Sequence, residues 1–206
     1  MIINCQFIVL DKRPYRENAL ICGGISPDYG KISFVIHGAQ KLSEKNFPAA
    51  DIFRELELEF NDDGSFKELY TAKNVDVMCS FDSIADNPRN FKMAGKIGAF
   101  LLKNTQPNLP QLYTYETLRS VLANLAGMDC GHELWTLEQC AVIIKCAYLY
   151  DNGLLPEGQN EKQNEFLENL VSSGPDNSPL PACNPQYWSV LNNWLNSLLE
   201  YHHLKR

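Results

Sequence analysis

Lys12, Arg13, Arg16, Lys31, Lys41 and Lys45 fall within the first 45 residues, against Asp11, Glu17, Asp28 and Glu44, a local balance of six cations to four anions. Tyr15, Tyr29 and Phe34 are interleaved with them. Cations neutralise phosphates and aromatic faces stack on unpaired bases, so this mixture could form a surface for single-stranded nucleic acid. The same residues also describe a solvated sheet face backed by core aromatics, and an excess of two charges gives a weak electrostatic footprint. Residues 46–80 reverse the sign, with Arg54, Lys67 and Lys73 against eight acids, so the two halves of this segment are electrically unequal.

The other reactive residue types do not assemble into a catalytic pattern. Cys130, His132, Cys140 and Cys146 form the one local cluster of metal-ligating types. Cys140 and Cys146 lie six apart in the apolar run CAVIIKCAYLY, which on a helix puts them on different faces. Seven cysteines, an odd number with no C-x-x-C pair, read as reduced and mostly buried thiols. His202 and His203 beside Glu200 read as a solvated helix end, and His37 as a structural residue at a strand end. The carboxylates of RELELEF alternate with apolar residues and line a solvent face rather than a cleft. There is no phosphate-binding glycine loop, G-x-S-x-G or H-E-x-x-H, and Gly23-Gly24 is an isolated pair. The expectation is a protein that is not an enzyme, with no metal and no cofactor.

These residues must be positioned by a folded chain. With 206 residues, 45% hydrophobic and 21% charged, it can bury a sizeable core, and a formal charge of -7 confines any nucleic-acid surface to a local patch. The start lacks a basic region followed by a long apolar run, and no segment reaches membrane-spanning length, so a soluble cytoplasmic protein without a membrane role is expected. Five strand-like runs (NCQFIVLD, ALICGGIS, KISFVIHG, DIFRELELEF and SFKELYTA) are separated by turn signals including KRPYREN and NDDG. They suit a small antiparallel barrel or meander; an OB-fold is one such barrel, and an SH3-like barrel fits the same pattern. From about residue 80 five segments show helical periodicity, several with Gly127, Gly153 or Gly174 after their last apolar turn, and Asn184-Pro185 opens the last. SSGPDNSPLPACNP, residues 172–185, reads as a mobile linker.

RPYRENALICGGISPDYGKISFVIHGAQK resembles the amino-terminal motif of the RecO family of bacterial recombination and repair mediators, through Tyr15, Glu17, Gly30, Gly38, Ala39 and Lys41. QLYTYETLRSVLANLAG, IIKCAYLYDNGLLPE and LLEYHHLKR are similar in outline to its later helices, with Gly153 and Pro156 at the turn. Many members carry a Cys-x-x-Cys zinc module after that turn; here GQNEKQNEFLENLVSSGPDNS holds no cysteine. The resemblance implies an α+β protein, a five-stranded antiparallel OB-fold barrel over residues 1–78 followed by an all-helical domain over 79–206. It further implies binding of single- and double-stranded DNA, annealing, recombinase loading with RecR, and contact with the single-strand binding protein. Lys12, Arg13, Arg16, Lys31, Lys41 and Lys45 are the expected phosphate contacts, Tyr15 and Tyr29 the stacking candidates, and a positive stripe through Lys12, Arg16, Lys31 and Lys41 is expected. The alternative is an OB-fold scaffold for protein partners with little DNA affinity.

Overall fold

A computed structural model describes residues 1–39, 49–65, 67 and 69–205. Five strands, β1 (Ile2–Tyr15), β2 (Ala19–Ser26), β3 (Gly30–His37), β4 (Arg54–Asn61) and β5 (Tyr70–Ser80), form a closed barrel in the order β1-β2-β3-β5-β4. This is the expected OB-fold, with one difference from an antiparallel barrel. β3 and β5 run parallel, pairing only Phe34 with Tyr70 and Val35 with Thr71. An odd number of strands cannot close into a ring with every neighbour antiparallel, so one seam must be parallel and the sheet is mixed.

The basic stretch expected as a turn is mostly strand. Lys12 to Tyr15 pair with Cys22 to Ala19 of β2. β1 pairs with β4 through residues 2–8, so among the described residues Pro14 sits where the strand has one neighbour, a position that tolerates proline. Between Val9 and Asp11 the register slips at Leu10. Before this bulge Cys5, Phe7 and Val9 face the core; beyond it the alternation is reset, and Lys12 rather than Arg13 lies opposite the core residue Cys22.

Phe7, Phe34, Phe60 and Tyr70 fill the barrel, with Phe34 edge-on to Phe7 and to Phe60 at centroid separations of 5.2 Å each. Leu56, Leu58 and Phe60 point inward, as their alternation with glutamates dictates. Glu55, on the opposite parity, is nevertheless buried. Arg54 holds Asp82 through two parallel contacts, Nε to Oδ1 at 3.0 Å and Nη2 to Oδ2 at 2.5 Å. The hydrogen bond from Arg54 holds the Asp82 carboxyl below its usual range. A depressed folded-state pKa stabilises the fold above the unfolded value, near 3.8, and that contribution is lost as pH falls through the folded value. Asp82→Asn is therefore expected to cost about 1 kcal/mol at neutral pH, the modest worth of a solvent-screened pair. In thermal melts its deficit against the parent should close below about pH 4.

The chain forms two compact units, one of residues 1–82 with 101–110 and one of residues 83–100 with 111–206. In the first, the segment after helix α1 (Pro88–Asn104) returns to the β2–β3 turn. The Lys31 amide donates to the Gln106 carbonyl and the Asn108 amide to the Tyr29 carbonyl. Gly30 has φ +60 and its Cα faces the Leu109 and Gln106 carbonyls, so the turn needs glycine for both conformation and close approach.

The second unit is helical, with α2 (Leu112–Leu125), α3 (Leu137–Asp151), α4 (Glu161–Ser173) and α5 (Pro185–Tyr201) following α1. α3 opens on a capping box between Thr136 and Gln139, and α5 on an Asn184 cap with Pro185 at its first turn. Gly127 and Gly153 take the left-handed conformation expected after a helix. Gly174 does not; its φ is -63, and it is required because a Cβ there would lie 2.3 Å from Thr117 Oγ1.

Candidate nucleic-acid interface

The outward face of β1, β2 and β3 is built in rows fixed by register. Tyr15, Ala19 and His37 make one row; Arg13, Ile21, Val35 and Thr71 the next; Asp11, Gly23 and Ser33 a third. Ala19, Ile21 and Val35 form a small apolar cluster separate from the barrel core, and the half-buried Tyr15 packs on it. The Arg16 guanidinium lies 5.1 Å from the centroid of the Tyr15 ring. Arg16 itself has φ 54, in the tight β1–β2 turn. The result is a supported, half-buried aromatic ring, flanked by Arg13 two residues back on the same face and by Arg16 at its side.

The structure brings Arg13, Tyr15 and Arg16 together and distributes the remaining expected residues. Lys31 is outward-facing too, in the row of Ile25 and Ile8. It lies four residues from Val35, about 13 Å along the strand. Lys12 is on the opposite face, because the Leu10 bulge resets the alternation, and its Nζ contacts Asp51 Oδ1 at 2.6 Å. Tyr29 also lies elsewhere: it packs against the barrel core with its ring edge-on to Phe60 at 5.7 Å. Burial, followed by the nearby Asp62 carboxylate, pushes its phenol pKa up. A stripe through Lys12, Arg16 and Lys31 therefore does not lie on one face, and Lys41 and Lys45 fall outside the described residues.

His37 reads as structural from the sequence, yet it is exposed at the end of β3 and shares a row with Tyr15. The signal that could find it is the register: the β2–β3 turn at Pro27–Tyr29 places residue 37 opposite residue 19, and the β1–β2 turn places 19 opposite 15.

Cys5, Cys22, Cys140 and Cys146 offer no reactive thiolate, since burial pushes each up to about 12. Both ring nitrogens of His132 face backbone carbonyls, Nδ1 that of Glu133 at 2.8 Å and Nε2 that of Asn177 at 3.0 Å, while its ring stacks on Trp135. It clips two loops together. Among the described residues no group of three His, Cys, Asp or Glu side chains could hold a metal ion, and no helix is long and apolar enough to cross a membrane.

Residues 1–81 match the family described as Recombination protein O N terminal. The chain is also similar to the DNA repair protein RecO of Mesoplasma florum, with 27% identity over 123 residues, 60% of this chain and 46% of that relative. It thus spans about half the length of the curated relative it matches. The barrel with its outward β1–β3 face coincides with the segment that matches this family's amino-terminal domain.

Proposed function

We propose that this protein is a DNA repair and recombination mediator that binds single- and double-stranded DNA, anneals complementary strands and helps load a recombinase. The observation that carries the reading is the grouping of Arg13, Tyr15 and Arg16 on the outward face of the barrel, around a ring held in place by Ala19, Ile21 and Val35. OB-folds bind oligonucleotides on this face and at the β1–β2 and β4–β5 loops. Arg13 and Arg16 neutralise phosphates, Tyr15 gives a base a surface to stack on, and Lys31, Lys41 and Lys45 are further phosphate contacts in this reading. Lys12 joins only by giving up Asp51. Neutralising both strands lowers their mutual repulsion, which is what annealing needs, and no bond is made or broken in the protein's part of the work. RecR and the single-strand binding protein are the partners this reading implies.

The test is a salt titration of fluorescent oligothymidine binding. Arg13→Ala with Arg16→Ala is expected to reduce the slope of log affinity against log salt by about 1.4, roughly 0.7 for each phosphate of a single strand that is no longer neutralised. Tyr15→Ala should weaken binding by about 1–3 kcal/mol without changing that slope as much. A second reading, an OB-fold scaffold for protein partners, is favoured by the net charge of -7 and the pairing of Lys12 with Asp51. Undetectable binding at the lowest salt would decide for it.

A further inference from the structure

Helix α1 carries Arg89, Lys92, Lys96 and Lys103 and not one acid over its 17 residues, in a chain whose acids outnumber its bases 25 to 18. At about 100° per residue these four positions fall within about 60° of one another on the helix. All four are exposed. Ala94, Ile97 and Leu101, turned away from the cations, are buried, and the buried Phe100 borders the row. From Arg89 to Lys103 the row runs about 21 Å, at about 1.5 Å per residue. Between the cations and the exposed Phe91, the surface is floored by Gly95 and Ala99, and a side chain at Gly95 would meet nothing within 4 Å.

Helix stability accounts for Lys103, in the last turn, but not for Arg89, Lys92 and Lys96. The positive end of the helix dipole disfavours a cation, yet Arg89 stands in the first turn and no acid accompanies it. The free amides at that end are already served by Asn87, whose Oδ1 accepts from the Arg89 and Asn90 amides. Charge-pair stabilisation along the helix requires acids three or four residues away, and α1 has none. What remains is a linear, shallow, purely cationic track.

We propose that this face of α1 binds the sugar-phosphate backbone of DNA, as a second tract in addition to the barrel face. The proposal rests on the DNA-binding reading above and extends it to a segment outside the matched barrel. A row of about 21 Å spans several successive phosphates of one strand, and the low floor beside it lets the strand lie against the helix rather than stand off on side-chain tips. Contacts of this kind carry no sequence information, so the tract adds affinity uniformly across sequences.

The experiment is fluorescence anisotropy across a salt series with fluorescein-labelled oligothymidine and a labelled duplex. It compares the parent, Arg89→Gln/Lys92→Gln/Lys96→Gln, and Arg13→Ala/Arg16→Ala. Glutamine keeps helix propensity, and an unchanged melting curve will show that the triple variant is folded. The triple variant is expected to lower the salt slope by about 2 on single strands and about 3 on duplex, so that affinity near 0.1 M salt falls about a hundredfold for oligothymidine. Arg89→Lys, which retains the charge, should bind as the parent does. A triple variant with the parental slope, while the barrel variant loses affinity, overturns this proposal and leaves the barrel reading standing. Weakening in the triple variant alone supports α1 and removes the barrel face instead. A parent that binds neither probe at low salt overturns both.

Discussion

Gly24→Ala is expected to destabilise the barrel by about 3 kcal/mol or more, an effect of the size seen when backbone and core are forced apart. A Cβ at residue 24 would stand 1.9 Å from the Ile8 carbonyl oxygen and 2.8 Å from the Phe7 ring. The first of these is backbone and cannot swing aside. Ile8 is also the residue at which β1 is paired on both sides, with Ile25 of β2 and Glu55 of β4, so displacing its carbonyl disturbs two ladders at once. Gly23 provides the control. Its Cβ would meet Ser33 Oγ at 3.6 Å and Asp11 Cβ at 3.8 Å, ordinary contact distances, so Gly23→Ala should cost less than about 1 kcal/mol. Amide hydrogen exchange in β1 and β2 measures both variants within the barrel itself. Equal protection in the two would show that the β1–β2 approach is looser than the structure has it.

Phe34→Ala is expected to cost about 3–5 kcal/mol, the range for removing a buried phenyl group. Phe34 is fully buried, meets Phe7, Phe60 and Tyr70, and is the Cα partner of Tyr70 in the parallel seam. The cavity therefore opens at the barrel's shortest ladder, and exchange protection should fall first at the start of β5. Phe34→Leu, which refills part of the volume, should recover more than half of the stability. A cost under about 1 kcal/mol for the alanine variant would contradict a core built around this ring.

These two residues also show what is legible in the sequence. The inward set Ile32, Phe34 and Ile36 and the outward set Ser33, Val35 and His37 follow from strand alternation, because β3 is regular. β1 is not regular. A one-residue bulge at Leu10 inverts every side chain after it, and nothing in QFIVLDKRPY announces a bulge, so the sequence groups Lys12 with Arg13 and Arg16 although it faces Asp51. The same stretch reads as a turn because Pro14 and charged residues disfavour strands, a preference overridden where the strand has a single neighbour. Helices are more readily found, since α3 and α5 carry their caps in the sequence. The basic row of α1 is present in the letters but does not stand out there: its residues sit 3, 4 and 7 apart, a spacing that declares itself as one face only once the helix is drawn.

The seam between β3 and β5 has a kinetic consequence. β1, β2 and β3 join through short turns, and β4 and β5 through one loop, so these ladders close small loops. The seam joins residues 34 and 35 to 70 and 71 across the whole of β4, and it offers only two residue pairs in return for that larger entropy loss. The β1–β4 ladder closes a longer loop still but repays it with seven pairs, so the two-pair seam closes last, and the barrel's assembly is the docking of two preformed halves rather than the rolling-up of one ribbon.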